Sequence, residues 1–462
     1  MRHLASFAAV GSLMLAIPVA VPGQLSDADL TARAQAIHRR TLTLDTHVDI
    51  SPANFQTNRP NYGQRLGSQV DLTKMEAGGL DAVFFSIFVG QGPLDSAGYA
   101  QAYAVDTAKF NAIHRLVDTI APDRIGLALT ADDARRLFSQ GKKIAFMGVE
   151  NGYGIGTDIT RVKEFYDRGA RYLSLAHNGH NQLSDSNTGE GDGVWVWHGI
   201  SPLGREVIKE ENKWGIMIDI SHPSRESMMQ AIALSRAPII ASHSAVRSLC
   251  NASRNLDDEQ LRALARNGGV IQVVAFRGYI KCDPVSDAAR SRELATLRTD
   301  FGIPAGRGRP IGGSATGAPA PDAGCPTVAG PLPGGGVVPD SELVNLTGAR
   351  REEYRTRFAA IMQRYPEAPV ASVRDYVNHI DYAVKLMGID HVGISSDFDG
   401  GGGIDGYNCA LDAVNVTREL VRRGYTEEQI GKIWSGNLLR VLDQVQRVAR
   451  TIQAEQGIRP GR

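Results

Sequence analysis

The chain has no excess of charge of either sign. Its 462 residues include 50 basic and 50 acidic side chains, so it lacks the basic field that a nucleic-acid backbone requires. This balance favours a small neutral or zwitterionic partner. Hydrophobic residues make up 42% of the chain, which is enough for a large core, and the length is normal for a barrel with insertions.

Cysteine is scarce. The four cysteines include no C-x-x-C pair, which argues against cysteine metal ligands. An even number in an exported chain can pair, and four cysteines allow three pairings. Cys250 and Cys282 follow neighbouring predicted strands, so we expect one disulfide between them. By default, Cys325 and Cys409 form the other.

Long hydrophobic runs are absent except at the start. A short basic beginning, an apolar stretch from Leu4 to about Val21 and small residues after it predict a secretory signal over 1–23. A retained membrane anchor is the alternative. No cysteine follows the run for a lipoprotein anchor, and the polar carboxyl terminus does not resemble a lipid-anchor signal. We therefore expect an exported mature chain, 24–462, periplasmic or secreted, without a membrane span.

Short apolar runs alternate with helical patterns along the rest of the chain. Several of the helical stretches are opened by a Ser, Thr or Asp that can cap a helix. The strand-like runs are LTLDTHVD, LDAVFFSIFV, IAFMGVE, YLSLAH, GIMIDISH, PIIASH, VIQVVAF and HVGISSDFDG. Such alternation is typical of parallel strands joined by crossover helices, and eight strands predict a (β/α)8 TIM-like barrel.

One segment, 299–340, breaks this alternation. It is rich in Gly, Pro and Ala, and it contains too little apolar surface to order itself as a domain. We interpret it as a flexible insertion between strands seven and eight, either a lid or rim of the active face or a solvated surface loop. A helix pair beginning near Ala371 and the carboxyl-terminal helices are expected to close the barrel.

Polar side chains occur where the predicted strands end. They are His47, Asp49, Glu150, His177, His222, His243 and Asp397. The carboxyl ends of the strands form the active face of a (β/α)8 barrel, so these residues are expected to converge there.

The convergent groups suit two metal ions. His47 and Asp49 are two apart on a strand and can hold one cation together. His222 and His243 end successive strands and can hold a second, while Glu150 can offer one oxygen to each. Two metals about 3.5 to 4 Å apart form a site for attack on a carbonyl. A single strand histidine is more often a satisfied core residue, but joint placement on five strands favours metal.

These motifs closely resemble the membrane dipeptidases, also called renal dipeptidases, from about Thr41 to about Ile452. The quoted matches are His47-x-Asp49, Glu150, LAHNGHNQLSDS, GIMIDISH, SHSAVRSLCNASRN and GIDHVGISSDFDGGGGI. The resemblance implies hydrolysis of dipeptides, tolerance for a D-residue at the carboxyl-terminal position and, in some members, opening of β-lactams. It also supports the Cys250–Cys282 pairing, which matches a family disulfide position.

The resemblance also implies residue roles. It implies two zinc ions per chain, one held by His47, Asp49 and Glu150, the other by Glu150, His222 and His243. His177 would polarise the substrate carbonyl, Arg254 would bind the substrate carboxylate and Asp397 would shuttle the proton. The expected partner is a small dipeptide, with neither a nucleic acid nor a membrane, and a homodimer is compatible with this interpretation.

Two departures and two rival functions stay open. His180 stands where the family usually has Asn or another polar residue; we favour a solvated loop histidine over a pocket-lining one. Arg247 competes with Arg254 for the carboxylate, but the SRN motif favours Arg254. The rivals are an amidohydrolase acting on N-acyl-D-amino acids or β-lactams, and a noncatalytic barrel that binds solutes. The complete donor set argues against the second, because a decayed site is expected to lose a ligand.

Overall fold

The computed structural model describes residues 26–303, 324–325, 346–366 and 370–458. The predicted signal, 1–23, and most of the predicted insertion, 299–340, lie outside the described residues. No helix within the described ranges is long and apolar enough to cross a membrane.

A parallel β-barrel forms the centre of the fold. Its strands, within the described residues, are β1 (Leu44–Asp49), β2 (Ala82–Phe88), β3 (Ile125–Leu127), β4 (Lys143–Glu150), β5 (Ala170–Ser174), β6 (Met217–Asp219), β7 (Ile240–Ser244), β8 (Val270–Val274) and β9 (Val392–Ser395). All but β3 follow one another in chain order around the sheet, and a parallel bridge from Val48 to Phe398 connects β1 to the segment after β9. The prediction of an eight-stranded (β/α)8 barrel is confirmed.

The short strand β3 is an addition that the sequence analysis missed. It pairs with Lys143, Ile144 and Ala145 at the beginning of β4, whereas β5 pairs with β4 only from Met147 onward. Three residues carry too little periodicity for a strand prediction.

Helices surround the barrel. They are α1 (Asp27–Arg40), α2 (Leu72–Gly78), α3 (Ser96–Arg115), α4 (Ala131–Ser139), α5 (Thr160–Asp167), α6 (Gly189–Asp192), α7 (Pro202–Trp214), α8 (Arg225–Leu234), α9 (Asp258–Arg266), α10 (Arg277–Ile280), α11 (Pro284–Asp300), α12 (Gly348–Arg364), α13 (Val373–Met387), α14 (Ala413–Arg422), α15 (Glu427–Gly431) and α16 (Asn437–Glu455). Short 3₁₀ or π turns occupy Pro52–Phe55, Leu116–Ile120, Gly152–Ile155, Ile389–His391, Ala410–Asp412 and Lys432–Gly436.

The predicted caps begin several of these helices. Ser201, Ser224 and Asp257 precede α7, α8 and α9, and each side chain accepts a backbone N–H three residues further on. Each such cap stabilises a helix by about 1 kcal/mol. The helix α5 is an exception, because it begins without a side-chain cap.

Aromatic side chains fill the half of the barrel that lies toward the amino-terminal ends of the strands. The rings of Phe84 and Phe146 stack at 4.6 Å between centroids, and Phe84 and Tyr172 at 5.2 Å. Gly148 makes room for this layer, since a Cβ there would lie 2.0 Å from the Tyr172 ring. Apolar residues of α16 join the same cluster as the first residues of the strands. This packing closes the amino-terminal end and leaves the carboxyl-terminal end for chemistry.

The chain between β8 and β9 differs in detail from the prediction. Between the seventh strand run, VIQVVAF, and Cys282, the residues RGYI form the short helix α10. The helix α11 continues to Asp300, and Phe301 packs with Tyr354 and Phe358 of α12. The first residues of the predicted insertion therefore belong to an ordered pair of helices. Of the helix pair predicted to begin near Ala371, the first helix is present as α13, which begins at Val373. The second is wrong, because α13 is followed by a 3₁₀ turn and then by β9.

Both predicted disulfides are present. Cys250 is bonded to Cys282 and Cys325 to Cys409, and the Cα atoms of each pair are 5.4 Å apart. The first bond joins the loops after β7 and β8. The second joins the described pair 324–325 to the loop after β9.

Candidate active site

Glu150, the last residue of β4, lies at the centre of the predicted site. Its Oε2 is 3.1 Å from His47 Nε2. Its Oε1 is 3.1 Å from His222 Nε2, 3.5 Å from His243 Nε2 and 3.6 Å from His177 Nε2. The carboxylate therefore faces histidines from four other strands, with one oxygen toward β1 and the other toward β5, β6 and β7.

Two more carboxylates lie on the His47 side. His47 Nε2 is 3.7 Å from Asp49 Oδ2 and 3.9 Å from Asp397 Oδ1. Asp397 has a φ of 60°, a left-handed conformation that costs free energy in a non-glycine residue and is concentrated at functional sites. A Cβ on Gly400 would lie 2.1 Å from Asp397 Oδ1 and 2.3 Å from Asp49 Oδ2. Glycine at 400 thus permits the turn to pack against both acids.

The far nitrogens of two histidines are held by neutral groups. His47 Nδ1 is 2.9 Å from the hydroxyl of Tyr172, inside the barrel, and His222 Nδ1 is 3.1 Å from Asn178 Oδ1. An amide oxygen can only accept, so His222 donates from Nδ1 and directs a lone pair from Nε2 toward Glu150. Such contacts fix ring orientation and tautomer in metal sites.

His243 is held through a relay. Its Nδ1 is 2.8 Å from Ser242 Oγ, which donates to Asp219 Oδ2 at 2.8 Å. A serine hydroxyl that donates to a carboxylate accepts from the imidazole, so Nδ1 carries the proton here too. Nε2 of His243 is 3.0 Å from Nε2 of His222. Two lone pairs facing each other and one carboxylate oxygen form a donor set that suits a cation.

Burial sets the charge of these groups. It lowers the pKa of His177 to about 4 and those of His222 and His243 well below the usual value, which keeps all three neutral and able to ligate. Burial acts against the charged form of His47 as well, but the adjacent carboxylates of Glu150 and Asp49 favour that form, and the pKa of His47 is raised. The His47 proton thus balances the acids of the cluster, and a bound cation would replace that proton.

Distances alone do not fix how the donors divide between ions. His47, Glu150 and His243 have one donor atom each within 4.8 Å of one another, and so do Glu150, His177 and His222. The chemistry of the donors fits metal, but the assignment of His243 as a ligand and His177 as a substrate contact stays a prediction.

A cavity of about 480 Å³ opens over this cluster, a size typical of small-molecule sites. Besides the donors it is lined by Phe88, Gly90, Gln91, Asn178, Arg254, Phe276, Tyr279 and Gly400. The predicted site residues are therefore all brought together: each lines this cavity except His47, which lies directly below it as a neighbour of Glu150.

Arg254 lies beside the histidines and Arg247 does not line the cavity. The Arg254 side chain is almost fully buried; it donates to the carbonyl oxygens of Ser221 and His243 and lies 3.0 Å from His222 Nε2. Its Nε has no hydrogen-bond partner. Arg247 instead forms an ion pair with Glu190 at 2.6 Å. This placement favours Arg254 as the carboxylate contact.

His180 is neither solvated nor part of the cavity lining. Its Nδ1 is 3.0 Å from Asp185 Oδ1, its side chain is 12% exposed, and its ring contacts Trp195 at 5.9 Å. The expectation of a solvated histidine is wrong, because the loop after β5 folds back over the ring. His180 anchors that loop.

Four groups that hold the histidines were not predicted from the sequence: Tyr172, Asn178, Asp219 and Ser242. Asn178, Asp219 and Ser242 stand inside the quoted motifs, and Tyr172 begins the strand run YLSLAH. Each of the first three lies within three residues of a predicted site residue, namely His177, His222 or His243. For Tyr172, Asp219 and Ser242 the signal was a polar group in an otherwise apolar run. Such a residue needs a partner once buried. Here Tyr172, Asn178 and Ser242 each meet a ring nitrogen of a histidine, and Asp219 accepts from Ser242.

A parallel barrel with histidines and carboxylates convergent at its carboxyl-terminal edge defines the class of metal-dependent hydrolases. Comparison with protein families identifies the particular family. The sequence model of the membrane dipeptidases, peptidase family M19, matches residues 31–456 of the chain. The chain belongs to this family. It is a dipeptidase, a hydrolase acting on peptide bonds with a metal cofactor.

Individual proteins that resemble the chain in sequence or structure agree with this family assignment. The chain is 26% identical to dipeptidase tcpJ of Claviceps purpurea over 83% of this chain and 71% of that protein. It is 25% identical to dipeptidase aclJ of Aspergillus oryzae over 88% and 77%. The crystal structure of the probable dipeptidase PvdM from Pseudomonas aeruginosa is 30% identical, with a TM-score of 0.72, covering 92% of this chain and all of that one. A Rhodobacter sphaeroides metallopeptidase liganded with a phosphinate mimic of L-Ala-D-Ala shares the fold, with 19% identity, a TM-score of 0.60 and coverage of 88% and 99%.

Proposed function

We propose that the enzyme is a binuclear zinc dipeptidase. Zinc binds imidazole nitrogen and carboxylate oxygen, the donor types of this site. One ion would be held by His47, Asp49 and Glu150, the other by Glu150, His222 and His243. The observation that carries this proposal is the position of Glu150, whose two oxygens face separate groups of histidines.

The chain's own residues supply the rest of the reaction. Bound zinc would contribute Lewis acidity toward a peptide carbonyl. His177 lines the cavity beside Glu150 and would orient the carbonyl oxygen. Asp397 lines the same cavity and would carry a proton on its carboxylate from the attacking water to the leaving amine.

Arg254 would determine that the substrate is a dipeptide. A dipeptide differs from a longer peptide in having its free carboxylate one residue beyond the scissile bond. The guanidinium of Arg254 is held at the cavity wall by its hydrogen bonds to the carbonyls of Ser221 and His243. A positioned guanidinium of this kind suits a substrate carboxylate. We propose that a D-residue is tolerated at this carboxyl-terminal position, as the family resemblance implies.

We also propose that the mature protein is exported, to the periplasm or out of the cell. The signal-like segment 1–23 supports this location. Two disulfides in a chain with no free cysteine among the described residues agree with an oxidising compartment.

Metal analysis together with a substrate panel tests the proposal. Purified protein is expected to contain about two zinc ions per chain and to cleave L,L- and L,D-dipeptides. Dipeptide amides, N-acyl-D-amino acids and a β-lactam complete the panel. If the acyl amino acids or the lactam are turned over faster than every dipeptide, the amidohydrolase alternative replaces the dipeptidase. One zinc per fully active chain would overturn the binuclear assignment.

A further inference from the structure

Two loops build the cavity wall that carries Arg254. The loop 245–257, after β7, supplies Arg254, and the loop 275–283, after β8, supplies Phe276 and Tyr279. The Arg254 guanidinium lies over the Tyr279 ring at 5.3 Å, and Tyr279 stacks on Phe276 at 4.3 Å. Arg254 is thus packed on one side against a loop that follows a different strand. The relative position of the two loops therefore helps to fix the guanidinium, in addition to its hydrogen bonds to the carbonyls of Ser221 and His243.

Asn255 connects these loops directly behind Arg254. Its Nδ2 donates to the carbonyl oxygen of Cys250 in its own loop and to that of Tyr279 in the other, both at 2.8 Å. The side chain is 1% exposed. The bond to the Cys250 carbonyl is buried and the bond to the Tyr279 carbonyl is partly buried. Such bonds are costly to lose, because a buried carbonyl that loses its donor has no water to replace it.

Two further links join the same loops. Cys250 is bonded to Cys282. From outside the barrel, His379 on α13 accepts the Val246 N–H at 3.1 Å, and its other nitrogen donates to the Ile280 carbonyl at 2.9 Å. Asn255, the disulfide and His379 therefore clamp the two loops at three separate points, and none of these groups lines the cavity.

We propose that Asn255 is a positioning residue for carboxylate recognition, with the Cys250–Cys282 disulfide and His379 as its supports. The clamp keeps Tyr279 against Arg254, so that the guanidinium meets the substrate carboxylate without reorganising. This inference rests on the proposed role of Arg254. Its consequence is specific: loosening the clamp weakens the contribution of the substrate carboxylate. Metal binding and bond cleavage are retained, because the residues proposed for them lie at or just after the ends of the strands and outside the two clamped loops.

The test compares Asn255→Ala with Asn437→Ala. Asn437 is a matched control: it is 3% exposed, and its Nδ2 donates to the carbonyls of Ile389 and Val392 at 2.7 and 2.8 Å, at the other end of the barrel. For each protein, kcat and KM are measured on L-Ala-D-Ala and on its carboxyl-terminal amide, together with zinc content. Native-state hydrogen exchange of 275–282 provides a readout independent of activity.

Asn255→Ala is expected to lower the preference for the free dipeptide over the amide about 10-fold, mainly through KM, with normal zinc content and faster exchange in 275–282. Asn437→Ala should leave the preference and this exchange unchanged. The variant Cys250→Ser/Cys282→Ser should shift the preference in the same direction as Asn255→Ala.

Each contrary result has a distinct meaning. If Asn255→Ala lowers activity on both substrates equally, or leaves the preference intact, Asn255 is merely structural and the inference is overturned while Arg254 keeps its proposed role. If wild-type enzyme itself shows no preference for the free carboxylate, the role of Arg254 fails, and the clamp fails with it.

Discussion

Replacement of Arg254 by alanine is the most direct test of substrate recognition. Arg254 is 4% exposed, and its guanidinium lies beside His222 and over Tyr279, where water competes weakly for a carboxylate. Loss of a charge-assisted contact in such a place costs roughly 2 to 4 kcal/mol, so kcat/KM on a free dipeptide should fall about 30- to 1000-fold.

The structure also shows what else the substitution removes. Arg254 donates to the carbonyls of Ser221 and His243, and leaving these buried acceptors unpaired should destabilise the protein by about 1 to 3 kcal/mol. That loss acts on every substrate alike. The informative quantity is therefore the ratio of kcat/KM for L-Ala-D-Ala to that for its amide, which cancels a general loss of folded protein.

Wild-type enzyme is expected to prefer the free dipeptide strongly, and Arg254→Ala to reduce the ratio to near one with zinc retained. Arg254→Lys should restore only part of it, because an ammonium lacks the planar fork. Arg247→Ala is the control, since its ion pair with Glu190 lies outside the cavity lining. An unchanged ratio in Arg254→Ala would refute carboxylate recognition by this residue.

Three other predictions concern metals, acid stability and export. His222→Ala should lose one zinc ion and nearly all turnover, whereas His177→Ala should keep both ions while losing turnover. His391→Ala is the control and should change neither, because the His391 ring contacts the Gly269 carbonyl. Zinc analysis that shows an ion lost in His177→Ala would make His177 a ligand. Burial lowers the pKa of His379 from 6.5 to about 4. Between these two pH values the unfolded chain binds a proton that the folded chain does not. The free energy of unfolding therefore decreases as the pH falls through this range, by up to roughly 3 kcal/mol. His379→Gln should show a smaller drop in Tm from pH 7 to pH 5 than wild type, and an equal drop would contradict this assignment. Protein recovered from the periplasm or medium should begin near Gln24, as checked by amino-terminal sequencing; an intact Met1 in that fraction would favour a retained anchor.

The barrel could be predicted because buried parallel strands have a strong local signature. Each of the eight runs is rich in apolar or β-branched residues, and six of them carry a predicted site residue at or near their end. The rule that strand ends share one face needs no tertiary information. The shared face then brought Glu150 and four histidines together. By contrast, β3 forms because its segment pairs with β4, and His180 is covered because the loop after β5 folds over its ring. Neither contact leaves a periodic pattern in the sequence.

The precise spacing of the metal donors depends on contacts between strands, which is why the motifs alone could not give it. Asp219, at the end of β6, accepts hydrogen bonds from the Ser221 N–H and hydroxyl and from the Ser242 N–H and hydroxyl at 2.7 to 3.2 Å.

One buried carboxylate thereby fixes the residue before His222 and the residue before His243. The Ser221 hydroxyl also accepts the His243 N–H at 2.9 Å, so the ends of β6 and β7 move as a unit. The 3.0 Å separation of the two Nε2 atoms is consequently a property of the pair of strands. Each motif carries a candidate ligand, but contacts with the adjacent motif set the distance between the two candidate ligands. Only the folded barrel places the two motifs side by side.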